Sequence, residues 1–190
     1  MVSLTPVREK HFPIPHFPIP PIPYPLSLNI ESPQAGYWTV NTSNTKVFTG
    51  FPRDRPIDLG GVTLAIGKTR LGWATVSLVS RHATGFGESG KPANILLAAT
   101  GLAENRGMAI EQVTPQEITL RDWGTGPTCV EGVPATITLP AAPAGIRCFA
   151  LDPSGNRKQS VPVATGDGGG AKIVLKPEYK TIWYEIEVSR

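Results

Sequence analysis

Apolar and polar residues alternate in short runs along most of this chain, and Pro or Gly separates the runs. Residues 26–30 read Leu-Ser-Leu-Asn-Ile, a period of two that lines one face of a strand. The alternation returns at 37–42 and 46–51, on either side of a polar turn at Ser43 and Asn44, then at 57–66 and 73–79. A Gly pair inside 57–66 implies a bulge or bend there. Leu96, Leu97, Ala98 and Ala99 favour a helix by propensity. Thr100 and Gly101 interrupt that run, however, and no N-cap followed by three turns is present, so 94–101 is expected to be a buried strand. Further strands are expected at 118–123, 129–131, 135–139, 146–151, 159–163, 171–175 and 181–188. Short strands with regular turn signals predict an all-β chain, an antiparallel β-sandwich of the jelly-roll or Ig-like kind. The rhythm shifts slightly after Gly132. The reading therefore divides the body into a sandwich domain at 27–132 and a smaller Ig-like β unit at 133–190 packed on it, since a unit that small rarely stands alone.

Residues 1–26 break the pattern. His11-Phe-Pro-Ile-Pro is repeated at once from His16, and Pro21, Pro23 and Pro25 follow. Alternating prolines lock φ and remove amide donors, which excludes helix and central strand and predicts an extended polyproline II arm. Such an arm is either a semi-rigid spacer or a ligand for an aromatic groove on a partner. In the second case Phe12, Phe17 and Tyr24 are the candidate partner-binding residues.

Composition narrows the function classes. The chain has 190 residues, 17% of them charged, with 20 Gly and 20 Pro, which suits a β-protein of many short strands. The net charge is +3, and the 18 Lys and Arg are scattered rather than gathered with aromatics, so no nucleic-acid partner is expected. Residues 1–10 lack the apolar stretch of a signal peptide, so the chain as written is expected to be soluble with no export address. The longest apolar run, 93–99, is far short of the ~20 residues that span a bilayer, so no membrane partner is expected. Cys129 and Cys148 sit among apolar, strand-like residues. They are expected as buried thiols, or as a disulfide if their strands pair.

Motifs that carry chemistry fail on inspection. Residues 85–91 have the letters of a phosphate-binding loop, but Pro92 stands where Ser or Thr must hold magnesium, and a strand rather than a helix follows. Asp152, Ser154 and Asn156 have alternate calcium-loop spacing without the later acids; a turn explains them. His82 is the one histidine in the body of the chain, and no nucleophile elbow accompanies it. Glu104, Glu111, Glu117, Asp122 and Glu131 are carboxylates in number, but none sits in a context that would fix an acid and base pair. Glu104 and Asn105 read as a turn bonding its own backbone. No catalytic residue, metal ligand or cofactor is assigned, and the chain is not expected to be an enzyme on its own. Flat aromatics can stack on sugar rings. Trp38 and Trp123 are candidate carbohydrate-binding residues, as is Tyr184, which neighbours Trp183 on a strand that points one ring in and one out.

Several of these segments in order resemble a known family. Residues 39–51, 58–64, 95–108, 123–135 and 179–185 are similar to successive segments of the C-terminal non-catalytic β-sandwich accessory domains of bacterial (β/α)8-barrel glycoside hydrolases, and the likeness spans roughly 28–188. Asn41 stands in place of the family's Asp, Ser43 and Asn44 in place of its Pro-Arg, and the usual first strand pair is replaced by 27–32 after the proline repeats. The resemblance implies a module that supports a catalytic (β/α)8 barrel and contacts polysaccharide, in an extracellular or periplasmic setting. A stand-alone interaction module that binds a partner through its proline-rich arm is the alternative.

Overall fold

The computed structural model describes residues 26–29, 36–52, 54–81, 85–86, 92–114 and 117–189. The proline-rich arm with Phe12, Phe17 and Tyr24, His82, and most of the 85–91 loop lie outside the described residues.

Two antiparallel sheets form the body. One has eight strands in the order β1 (Leu26–Asn29), β2 (Tyr37–Asn41), β3 (Thr45–Gly50), β6 (Ala74–Ser80), β7 (Ala93–Thr100), β17 (Trp183–Val188), β13 (Ile146–Leu151) and β14 (Arg157–Val161). The other has five, in the order β15 (Val163–Thr165), β16 (Ala171–Leu175), β12 (Ala135–Leu139), β5 (Thr63–Ile66) and β4 (Ile57–Asp58). The period-two pattern sets the layers. Phe48, Val76, Leu78, Ile95, Leu97, Tyr184, Ile186 and Cys148 point inward from the large sheet, and Leu64, Ile137, Leu139, Ile173 and Leu175 from the small one, into one continuous apolar cluster. Each such side chain contributes about 1.5–3 kcal/mol by leaving water, and a one-residue slip of any strand would turn its apolar set outward. This is the antiparallel β-sandwich that the alternation predicts.

Chain segments before and after Gly132 are woven together. β12 pairs with β5, and β17 pairs with β7 along its full length. The boundary at 132 therefore does not separate two units. Residues 133–190 supply strands to both sheets, and the core is shared. The shift in strand spacing reflects shorter connections between sheets, such as the single turns at Pro143–Gly145 and Pro177–Tyr179.

Other local expectations are corrected. Residues 57–66 form not one bent strand but a hairpin, β4 to β5, whose turn holds Gly60 and Gly61 at φ 68° and 87°, a backbone region that disfavours any side chain. Glu104 and Asn105 lie in a strand, β8 (Ala103–Arg106), not a turn. That strand opens a two-stranded ribbon. It pairs with β11 (Thr125–Val130), and nested between them β9 (Ala109–Thr114) pairs with β10 (Glu117–Asp122). β11 thus begins earlier than the strand expected at 129–131 and takes in Thr125, Gly126 and Pro127. Cys148 is buried as expected, whereas Cys129 is exposed on the ribbon, and both are free thiols.

Candidate functional site

The ribbon is little buried. Every residue of β11 is exposed, as are Ala109, Ile110, Glu111, Gln112 and Val113 of β9. It nevertheless carries large apolar side chains: Ile110 is 50% exposed, Val113 51% and Trp123 74%. Ile110 pairs with Leu120 of β10, whereas Val113 falls at a register shift between Gln112 and Thr114, where the ribbon bulges. Polar contacts hold its shape. Asn105 Nδ2 donates to the Trp123 carbonyl at 3.1 Å, Thr128 Oγ1 donates to Asn105 Oδ1 at 2.8 Å, and Arg121 pairs with Glu111.

At the root of the ribbon lies a groove of about 540 Å³ lined chiefly by Cys129, Val130, Pro153, Pro177, Ile182 and Trp183. Its wall is mostly apolar, which suits an apolar occupant. Trp183 is 40% exposed and stands between this groove and the outer face of the large sheet.

That outer face divides into two halves. Over β2, β3, β6 and β7 the register aligns Trp38 with Thr49, Thr75 and Thr100 in one row, and Val40 with Val47, Ser77 and Ala98 in the next, which ends at Trp183. None of these side chains is ionisable. Over β17, β13 and β14 the face is charged but internally paired. Arg157 donates through Nε to Glu185 at 2.7 Å and through its other arm to Glu187, while its guanidinium sits 4.1 Å from the Phe149 ring. The Glu185 carboxyl is held below the usual carboxylate range, chiefly by the hydrogen bond from Arg157.

The two candidate sugar-stacking tryptophans reach solvent, Trp123 on the ribbon and Trp38, 36% exposed, on the sheet face. Tyr184 does not. It is 2% exposed, packs edge-on to Tyr179, and burial pushes its phenol up to about 12. Its strand offers Trp183 to solvent instead, because Tyr184 pairs with Leu97 and Ala150, both core residues. Tyr184 is therefore corrected from a sugar-contact residue to a core residue.

The carboxylates are occupied in holding the fold. Glu104 pairs with Arg70, Glu111 with Arg121, and Asp122 accepts the Gly124 N–H at 2.8 Å. Glu131 accepts the backbone N–H of Arg70 and of Leu102. Asp152 Oδ1 accepts the N–H groups of Ser154 and Asn156 at 2.9 and 2.8 Å, which closes the turn that the spacing also permits as a calcium loop. Among the described residues no group of three His, Cys, Asp or Glu is placed to hold a metal ion. Comparison with family models, with curated proteins and with solved structures finds no match.

Proposed function

We propose that this chain is a non-catalytic accessory β-sandwich that docks on a larger partner through its ribbon, the partner being the catalytic (β/α)8 barrel of a glycoside hydrolase. The observation that carries the docking is the stranding of Ile110, Val113 and Trp123 in solvent on a two-stranded ribbon. An isolated ribbon of that kind is at best marginally stable by itself, and exposed apolar groups in numbers mark an interaction surface. The apolar groove at the ribbon's root extends the same surface to Trp183. The glycoside hydrolase barrel as partner rests on the sequence resemblance. A single exposed Trp at the centre of an interface is worth about 2 kcal/mol or more when truncated, so Trp123 is the expected anchor.

The test is affinity capture on the immobilised chain from extracts of its source, with retained proteins identified by mass spectrometry. The reading predicts a barrel-type glycoside hydrolase that wild type retains and that Trp123→Ala and Ile110→Asp release. A wild-type chain that retains no such enzyme, or retains it equally well without Trp123, overturns it.

A further inference from the structure

We infer that the chain's own proline-rich arm folds back across the uncharged half of the outer sheet face, with Phe17 seated at Trp183 and the residues before it in the groove beside that ring. The inference concerns what covers this face and does not depend on the docking reading. The strand register supplies the path. Leu26, where the arm joins β1, pairs with Val40, and the same row runs on through Val47, Ser77 and Ala98 to Trp183. The row crosses five strand-to-strand steps, or roughly 24 Å at about 4.8 Å per step. Phe17 precedes Leu26 by nine residues, and that length of polyproline II spans about 28 Å. An arm that turns back at Leu26 therefore brings Phe17 to Trp183.

The chemistry of arm and face agrees. Residues 11–25 contain no Lys, Arg, Asp or Glu. The half of the face along the path has no ionisable side chain either, while the half over β17, β13 and β14 carries Arg157, Glu185 and Glu187. Seven of these fifteen arm residues are proline, which offers a carbonyl acceptor and no N–H. The floor supplies donors to match, the hydroxyls of Thr49, Thr75, Thr100 and Ser77, and Val47 and Ala98 keep it low enough for an extended chain to lie on. Thr49 and Thr75 share one hydrogen bond of 2.6 Å between their Oγ1 atoms, which engages one hydroxyl hydrogen and leaves the other to donate outward. Proline-rich segments dock on exposed aromatic rings. Trp38, 36% exposed, stands on β2 beside the start of the path, and Trp183, 40% exposed, stands at its end.

The tether favours this occupant over a separate one. A ligand joined to its site by a short linker meets it at an effective concentration in the mM range, and a preformed polyproline II segment loses little further freedom on docking. The apolar groove that Trp183 shares with Cys129, Pro153 and Pro177 continues the surface past the end of the row. Phe12, five residues before Phe17, is the ring that enters it. A partner that used the groove would first displace the arm.

The experiment follows Cys129, which lines the groove, by its rate of reaction with an aromatic disulfide reagent in the full chain. The docked arm slows that reaction. The double variant Phe12→Ser, Phe17→Ser is expected to speed it about tenfold, the scale of releasing a buried aromatic ring. Ala98→Arg, which puts bulk and charge in the middle of the path, is expected to do the same. Leu4→Ser, in the arm but outside residues 11–25, should leave the rate unchanged. Cys148 is buried, and its continued silence in each variant separates release of the arm from unfolding. A second measurement leaves the face and both rings intact: Ile14→Cys should form an intramolecular disulfide with Cys129 about tenfold faster than Ser3→Cys does. Equal Cys129 rates in wild type and the double variant overturn the proposal. A gain in the double variant without one in Ala98→Arg overturns it too, as do equal disulfide rates for Ile14→Cys and Ser3→Cys. Protection of Cys129 that fades on dilution assigns the arm to a second copy of the chain, and the proposal fails.

Discussion

The Glu131 carboxylate accepts the backbone N–H of Arg70 at 2.7 Å, across a sequence separation of 61 residues. Its other oxygen accepts the Leu102 N–H at 3.2 Å. One side chain thereby ties the 67–73 loop to the point where the ribbon leaves the sandwich. Glu131→Gln turns one of the two acceptors into a donor facing an N–H and is expected to cost about 1–2 kcal/mol, the scale of a charge-assisted bond lost at a partly buried site. Urea unfolding checks the value. A change within error would show that water replaces the carboxylate without loss.

The two thiols should behave differently. Cys129 is exposed, whereas burial pushes the Cys148 thiol up to about 12. An aromatic disulfide reagent at neutral pH is expected to titrate one thiol in the native chain and the second only with unfolding, because the thiolate is the reactive form. Cys129→Ser should remove the fast reaction entirely.

Acid should weaken the fold partly through Glu185. Its folded pKa is depressed, first by the hydrogen bond from Arg157. The stabilisation is then fully present above the unfolded carboxylate value of about 4.3 and is lost as pH falls through the lower folded value. The urea midpoint is expected to drop from about pH 5 to about pH 3 by more in wild type than in Glu185→Gln. Equal drops would place the acid sensitivity elsewhere.

Gly124 sits at φ 67°, and a Cβ there would lie 2.4 Å from the Arg106 carbonyl oxygen and 2.6 Å from the Met108 nitrogen. Both are backbone atoms, one at the end of β8 and one in the connection from β8 to β9, so neither yields easily. Gly124→Ala should therefore open the ribbon at a local cost of about 2 kcal/mol or more, while the core, which shares no residue with it, stays intact. Trypsin should cut faster after Arg106 and Arg121 with little change in the urea midpoint. A large fall in the midpoint would show that ribbon and sandwich unfold together.

The core strands were legible in the sequence because burial on one face imposes a period of two. Burial alternates at every position of Ala74 to Ser80 and Ala171 to Leu175, and the residue types follow it except at Val79, Ser80 and Val174. The ribbon was not. β11 reads Thr-Gly-Pro-Thr-Cys-Val and is exposed at every position, so nothing imposes alternation on it. The same reasoning explains Tyr184. Alternation required that it and Trp183 face opposite ways, but only the register of β17 against β7 and β13 decides which ring is inside. The supposed boundary at 132 failed because local spacing says nothing of partners far away in sequence, such as β5 and β12. The exposed tryptophans were named in part from the sequence. The face that joins Trp38 to Trp183 depends on the order of five strands and was not legible.

Ala103 and Val130 pair directly across the root of the ribbon, so their Cα atoms lie about 5 Å apart. Everything between them leaves the sandwich and returns to the same place. Evolution or a protein engineer could therefore shorten, lengthen or exchange these residues with a two-residue turn as the lower limit, and the core would register the change only at its two anchoring strands, β7 and β12. The ribbon is in this sense a replaceable cassette, and the platform that carries it can remain constant.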